Sequence, residues 1–313
     1  MILGIDTSCY TTSMVTLSIE SGSPTYEKNQ NLTVKPGERG LRQSEGFFQH
    51  VHKLAETFDD LVKHVSPGQI KAIAVSSRPR PQDQSYMPVF QAGLLFANNL
   101  ANALGVPLYR YSHQEGHLMA AIYSAKISKI PKQFYGLHIS GGTTELLYVS
   151  AIEDGFSVDC IGGTLDLNFG QLIDRIGVKL GFSFPCGKEM DLMAQSENHK
   201  DFFKVKLKDS EHFNISGLEN KYLTLIETNS ASYCCRHIFN TIGWLLSQLI
   251  EPLNHKEIVV FSGGVASNSI VRAIIENNFK NRKVYFAMPE YARDNALGIA
   301  ELGRLQYIGE RNV

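Results

Sequence analysis

Residues 2–22, ILGIDTSCYTTSMVTLSIESG, are echoed by residues 134–155, FYGLHISGGTTELLYVSAIEDG. Under one constant shift Gly4 meets Gly136, Ser8 meets Ser140, Thr11 and Thr12 meet Thr143 and Thr144, and Ser18 meets Ser150. Each copy reads as strand, tight polar turn, strand, with Gly and Ser/Thr at the bend and β-formers on both sides. The segments downstream of the two copies also correspond. After the first copy, GLRQSEGFFQHVHKLAETFDDLVKHV carries apolar residues at helical spacing, IKAIAVSS is a buried strand, a helix runs from about Met87 to Leu104, and VPLYRYS is a strand that delivers His113 at its end. After the second, FSVDCIGG is a third strand and LDLNFGQLIDRIGVKLGF a helix. A long helical region from about Glu219 to Leu253 comes next, then the strand EIVVFSGG, a helix from Asn268, the strand KVYFAM, and a last helix from Asp294. Strands alternating with helices in two similar halves predict an α/β chain of two lobes with a cleft between them. No Pro-, Gly- or Ser-rich linker marks the boundary, which is placed near residue 130: a lobe at 1–130 carrying the paired histidines and a lobe at 131–313.

Two lobes suit a chain of 313 residues. The 30 Lys and Arg nearly cancel the 31 Asp and Glu, so no global positive field draws nucleic acid, and any RNA contact must be local. Basic stretches at 199–208 and 279–283 read first as solvated faces. The start, MILGIDTS, lacks a basic segment followed by an apolar run, and no stretch approaches about 20 apolar residues, so a cytoplasmic protein without membrane contact is expected. Cys9, Cys160, Cys186, Cys234 and Cys235 form no C-x-x-C pair and read as reduced thiols, mostly packed as small apolar groups.

Three turns, those of the two hairpins and a third at 262–268, stand in one repeated frame, and the last two carry glycine pairs. Backbone N–H groups in Gly/Ser turns form anion nests, and SGGTT at 140–144 is the better candidate, with SGGVASN at 262–268 beside it. Gly263 and Gly264 end a buried strand and begin a helix, where an anion is favoured. A nucleotide or similar phosphate ligand is therefore expected. The stretch HQEGH, 113–117, sets two histidines on one helical face, where both can reach one metal ion. In the zinc-peptidase pattern H-E-x-x-H the glutamate follows the first histidine, but here that position is Gln114, and Glu115 is rotated by about 200° from His113. On spacing alone a metal site and two solvated surface histidines both remain open.

HQEGH, SGGTTELLYV, FGQLIDRIGVKLGFSFPCG, ISGLEN, FSGGVASNSIVR and PEYARDNALGIAELG, taken in order, resemble the TsaD tRNA threonylcarbamoyltransferases, a family once described as O-sialoglycoprotein endopeptidases. The resemblance spans nearly the whole chain. It implies the two-lobed fold shared by actin, heat-shock ATPases and sugar kinases, with duplicated ribonuclease H-like lobes. It also implies one divalent metal, iron or zinc, on His113, His117 and Asp294, although Asp294 has a plain alternative as the cap of the last helix. For an adenine nucleotide, ATP, AMP or threonylcarbamoyl-adenylate, it implies His138, Ile139, Ser140, Gly141 and Gly142 with Gly263 and Gly264 facing phosphates. Asp174 would accept a ribose hydroxyl, and Gly187 and Asn268 would complete the site. The plain alternatives are a surface Asp174 paired with Arg175 or Lys179, and a helix-capping Asn268. The implied reaction moves a threonylcarbamoyl group from its adenylate to a tRNA adenosine, with protein partners of the same pathway or of the same fold.

The sequence also departs from the family. Where the family shows E-T-S-C-D-E-T this chain has DTSCYTT, so two acids become Tyr10 and Thr11; S-G-G-H-T becomes SGGTT, with Thr143 for a histidine. D-D-A-x-G-E becomes DLNFGQ, keeping Asp166 and Gly170 but placing Leu167 and Gln171 where acids stand. The glycine-rich turn before the helix near residue 90 is SRPRPQDQS, and the segment usually holding G-V-V-P-E is KPGERGLRQSEG. The reading is a diverged paralogue. It carries a non-enzymatic alternative, a nucleotide-binding scaffold or regulator, and two weaker ones. A kinase needs an acceptor-deprotonating acid and oxygen-held magnesium, which paired histidines do not suit; a metallopeptidase is weakened by Gln114.

Overall fold

The computed structural model describes residues 1–8, 10–34, 41–82 and 84–311, and the chain divides into two compact units. The first comprises Met1–Lys132, Ser150–Val158 and Arg293–Val313; the second comprises Gln133–Val149 and Asp159–Ala292. Cys9, residues 35–40 and Asp83, in three of the departing segments, lie outside the described residues.

The first unit opens with β1 (Ile2–Asp6), β2 (Thr11–Leu17) and β3 (Pro24–Asn31), then α1 (Gln43–His64), β4 (Ala72–Arg78), α2 (Phe90–Leu104), β5 (Leu108–Ser112) and α3 (His113–Ser124). Its sheet runs β3-β2-β1-β4-β5, with β1 antiparallel to β2 and parallel to β4, and β4 parallel to β5. Every residue of β1 and β2 is buried, as in strands covered on both faces. Leu3, Ile5, Met14 and Val75 of the sheet pack with Leu54 and Leu61 of α1 and Ala97 of α2. β1, β4 and β5 point the same way, so Asp6, Ser76 and His113 lie at or near their carboxyl ends, where open α/β sheets hold ligands.

The second unit carries β6 (Gln133–Ile139), most of β7 (Thr144–Ile152) and of β8 (Gly155–Thr164), whose adjoining ends at 150–158 group with the first unit, then α4 (Phe169–Lys179), α5 (Gly187–Ala194), β9 (His212–Phe213), α6 (Ser216–Thr228), α7 (Ala231–Ile250), β10 (Val259–Ser262), α8 (Ser269–Asn278) and β11 (Val284–Phe286). Its sheet runs β11-β10-β6-β7-β8-β9, with β10 parallel to both β6 and β11. Apart from the short β9, this is the order of the first sheet: β6, β7 and β8 take the places of β1, β2 and β3, and β10 and β11 those of β4 and β5. The repeat seen in the sequence is thus a repeat of the whole sheet, and the fold is the duplicated ribonuclease H-like α/β architecture. A separate core of Leu137, Leu146, Phe169, Phe239 and Phe261 fills this unit.

The chain then returns to the first unit with α9 (Leu297–Arg311), which packs against α3, β1 and β4. This corrects the single division at 130: residues 150–158 and 293–313, including Asp294, belong with the first unit. The long helical region expected over about 219–253 is made of two helices, because Ser230 accepts from the Tyr233 N–H at 3.1 Å and starts α7 afresh. Cys186, Cys234 and Cys235 are buried free thiols and Cys160 an exposed one. No helix among the described residues is long and apolar enough to cross a membrane.

Candidate metal centre and phosphate-binding turns

α3 begins at His113 because Ser112 caps it. The Ser112 side chain accepts from the Glu115 N–H at 3.2 Å, and the Glu115 carboxylate accepts from the Ser112 N–H and hydroxyl, each at 2.7 Å. This is a capping box, S-x-x-E, and it turns Glu115 away from the histidines. The other Glu115 oxygen accepts from the Phe156 N–H at 3.1 Å. The carboxylate inside HQEGH is therefore a buried anchor of the helix start, as its rotation from His113 foretells.

α3 and α9 approach closely at two glycines, Gly298 against the Gly116 backbone and Gly116 under the Ile299 side chain. A Cβ at Gly298 would collide with the Gly116 carbonyl, and one at Gly116 would lie 2.9 Å from the Ile299 side chain. This close approach sets the residues just before α9 beside the first turn of α3. Asn295 accepts from the Leu297 N–H at 3.0 Å, and the Ala296 N–H donates to Ser13 of β2 at 2.8 Å. The cap of the last helix is thus Asn295, which leaves the Asp294 carboxylate facing the histidines.

Asp294 Oδ1 lies 3.3 Å from His113 Nε2 and 3.4 Å from His117 Nε2, and the two imidazoles meet edge to face at 4.3 Å between centroids. Ligands held 2.0–2.2 Å from one ion sit about 3.0–3.5 Å from each other, so these separations suit a shared divalent metal. The two imidazoles and one carboxylate, within 4.8 Å of one another, also match the donor chemistry of such an ion. Asp294 is 25 % exposed and His117 only 5 %, so the cluster opens on the aspartate side. Behind it stands Asp6, whose Oδ2 is 2.9 Å from His113 Nδ1, while its Oδ1 accepts from the Ser8 N–H and the Ser76 hydroxyl, both at 2.7 Å. Burial would lower the His113 pKa, but the carboxylates of Asp6 and Asp294 outweigh it and push it up to about 10. Burial, with His113 beside it, pushes His117 down; the histidines hold Asp294 well below the usual carboxylate range despite burial.

In the second unit the turn between β6 and β7 is closed by the Ser140 N–H on the Thr143 carbonyl at 2.9 Å. Gly141 and Gly142 are exposed at its tip, and neither N–H donates within the described residues. Six of the expected positions, His138, Ile139, Ser140, Gly141, Gly142 and Gly263, lie in or beside this turn. His138 Nδ1 lies 3.0 Å from the Ser262 hydroxyl at the paired ends of β6 and β10. Gly263 follows with φ of 91°, and a Cβ there would strike the Ile139 carbonyl. The first turn of α4 rests on it too: Gly170 packs against Gly141, and the Asn168 side-chain amide donates to the Gly142 carbonyl at 2.9 Å. Gly264 opens the short helical turn Gly264–Ser267. Asp174 is half-buried and accepts from the Cys186 N–H at 2.8 Å, beside Gly187 at the start of α5; Arg175 pairs with Glu219 instead. Burial raises the Asp174 pKa. Asn268 is the cap of α8, accepting from Ile270 and Val271 at 3.1 and 2.9 Å.

The departing residues take structural places. Gln171 closes a capping box with Asn168, Leu167 is buried in the core, and Asp166 accepts from the N–H groups of Leu167, Ile215 and Ser216. Burial opposes its ionisation, yet the Ser216 side chain and those N–H groups bring its pKa down to about 2. Tyr10 is exposed and Thr11 buried on β2.

A family model described as "TsaD: tRNA N6-adenosine threonylcarbamoyltransferase" matches residues 39–301. The chain belongs to the TsaD family. Among curated relatives, a tRNA N6-adenosine threonylcarbamoyltransferase of Wigglesworthia glossinidia brevipalpis is 28% identical, covering 98% of this chain and 92% of the relative. One of Streptococcus sanguinis is 27% identical over 96% of this chain and 90% of its own length. Among solved structures, HypF of T. kodakarensis matches with a TM-score of 0.60 at 12% identity, covering 98% of this chain and 48% of that one. An activator of the 2-hydroxyisocaproyl-CoA dehydratase from Clostridium difficile, with bound ADPNP, matches at 0.54 and 12%, covering 100% and 97%. These structures share the fold of this TsaD family member.

Proposed function

We propose that this TsaD family member is a metal-dependent, adenine-nucleotide-binding transferase that moves a threonylcarbamoyl group from its adenylate to the exocyclic amine of a tRNA adenosine. The observation that carries the reading is the convergence of His113, His117 and Asp294 on one point. In the reaction the amine nitrogen forms a bond to the acyl carbon, the bond from that carbon to the AMP oxygen breaks, and a proton leaves the nitrogen. A metal on these three residues, iron or zinc, supplies Lewis-acid polarisation to such a group. His113 and His117 offer Nε2, Asp294 offers Oδ1, and the open aspartate side leaves room for a further ligand. In the second unit, the N–H groups of Gly141 and Gly142 would hold phosphate, with Gly263 and Gly264 alongside, and Asp174 beside Gly187 would take a ribose hydroxyl. Asn268 supports this site by fixing the start of α8.

No nucleophilic side chain is required by this chemistry, in keeping with the buried, raised Cys186 and Cys235 thiols. A protein partner belongs to the same reading, supported by the exposed Phe48, Val51 and Leu95 on α1 and α2. The scaffold alternative draws on the structural roles that Leu167 and Gln171 now have where the family carries acids. The test is metal content by elemental analysis for the unaltered chain beside His113→Ala/His117→Ala, then ATP or AMP binding and tRNA threonylcarbamoylation on both. Near-stoichiometric iron or zinc that disappears in the variant together with transfer is the expected outcome. A metal-free unaltered chain that still binds nucleotide overturns the transferase and leaves the scaffold.

A further inference from the structure

Asp6 lies outside the ligand set, yet it is among the most enclosed charged groups in the first unit, 1% exposed at the end of β1. Its two oxygens divide their tasks. Oδ1 is pinned by the Ser8 N–H and the Ser76 hydroxyl, from the turn after β1 and from the neighbouring strand β4. Oδ2 is left for His113 Nδ1 at 2.9 Å. A carboxylate only accepts, so this contact requires the proton on Nδ1 and reserves Nε2 for a metal. The ring is therefore fixed both in rotation and in tautomer by a group that belongs to the sheet.

We infer that Asp6, held by Ser76 and the Ser8 N–H, is a positioning residue that presets His113 for metal binding. This rests on the proposed metal site and adds a residue to it. The two histidines are set from different elements: His113 is oriented from the sheet, while His117 stands one turn further along α3. Outer carboxylates of this kind commonly contribute 10–100-fold to metal affinity.

The experiment measures cobalt(II) affinity by its visible absorption, with zinc as competitor, on the full chain and on Asp6→Asn, Ser76→Ala and His113→Ala. Circular dichroism and thermal unfolding are followed on each. The amide introduced by Asp6→Asn can present an N–H to Nδ1, which shifts the ring proton to Nε2 and blocks the metal. The expected result is that Asp6→Asn weakens cobalt roughly 100-fold, Ser76→Ala weakens it less, and both keep the unaltered far-ultraviolet spectrum. If Asp6→Asn does not fold, Ser76→Ala alone decides: unchanged affinity overturns the inference. Unaltered chain that binds cobalt, His113→Ala that does not, and Asp6→Asn that binds as tightly as the unaltered chain also overturns it. No cobalt on the unaltered chain counts against the metal reading itself.

Discussion

Glu115 shows how one residue can look catalytic and act as scaffold. It lies between two metal-spaced histidines, but its carboxylate accepts from the Ser112 N–H, the Ser112 hydroxyl and the Phe156 N–H. Glu115→Ala therefore strips three buried donors of their partner and is expected to cost about 2–3 kcal/mol of stability, read as a lower denaturation midpoint. Metal stoichiometry should stay unchanged, and a loss of metal with no loss of stability would make Glu115 part of the centre after all. At this scale the sequence was half legible. The i, i+4 histidines, Asp294 and the turn glycines are carried by motif and by resemblance, because each has a spacing or neighbours that mark it. Asp6 was missed, because a lone aspartate at the end of an apolar strand has no local signal; only the parallel pairing of β1 with β4, and of β4 with β5, brings it to His113, 107 residues on. Glu115 could have been read, since S-H-Q-E at 112–115 is a capping-box pattern. The place of Asp174 depended on Cys186, twelve residues on, whereas the cap that Asn268 forms on Ile270 and Val271 is local and was already one of its two sequence readings.

The elements that hold the metal centre are two helices and the carboxyl end of the central strand β1, and the decisive contact is the crossing of α3 and α9. Exposed glycines inside helices usually gain roughly 0.5–1 kcal/mol when replaced by alanine. Gly298→Ala should reverse that sign. Its new methyl group would meet the Gly116 carbonyl, so the helices must part, at about 1–3 kcal/mol. Parting also draws Asp294 from the histidines, so cobalt affinity should fall with stability, whereas a variant on the exposed face of α9 changes neither. Unaltered cobalt binding in a destabilised Gly298→Ala would show that Asp294 is positioned by its own loop instead. Most elements were legible because their apolar periodicity was strong: β1, β4 and β10 lie where the short apolar runs predicted them. β3, PTYEKNQN, was not, since it is a polar edge strand with mostly exposed or half-buried residues and offers no apolar alternation. The break between α6 and α7 was missed for a related reason: Asn229 and Ser230 interrupt a continuous apolar pattern by capping, which periodicity does not see.

The whole molecule is two units with separate cores, and the two proposed ligands fall one to each. Anything that binds a folded unit stabilises that unit by mass action, about 2.7 kcal/mol at a free concentration 100 times its Kd. Zinc should therefore raise one unfolding transition in calorimetry, that of the first unit, and a chelator should reverse it. Acid should act on both, in the first unit through the depressed Asp294 and His117 and in the second through one buried histidine. His237 of α7 is 4 % exposed and lies 3.1 Å from the Tyr222 hydroxyl; burial, with His199 nearby, holds its pKa down to about 4. An unfolded histidine titrates near 6.5, so between pH 6.5 and 4 the unfolded chain takes up a proton that the folded unit refuses. Stability of the second unit is thus full above pH 6.5 and declines as pH falls toward 4, by at most about 3 kcal/mol from this residue. In metal-free protein the transition of the second unit should become less acid-sensitive in His237→Phe, while the zinc-responsive transition keeps its midpoint at neutral pH. One transition that moves with both zinc and His237 would mean that the two cores unfold together, and the assignment of one ligand to one separately stable unit would fall.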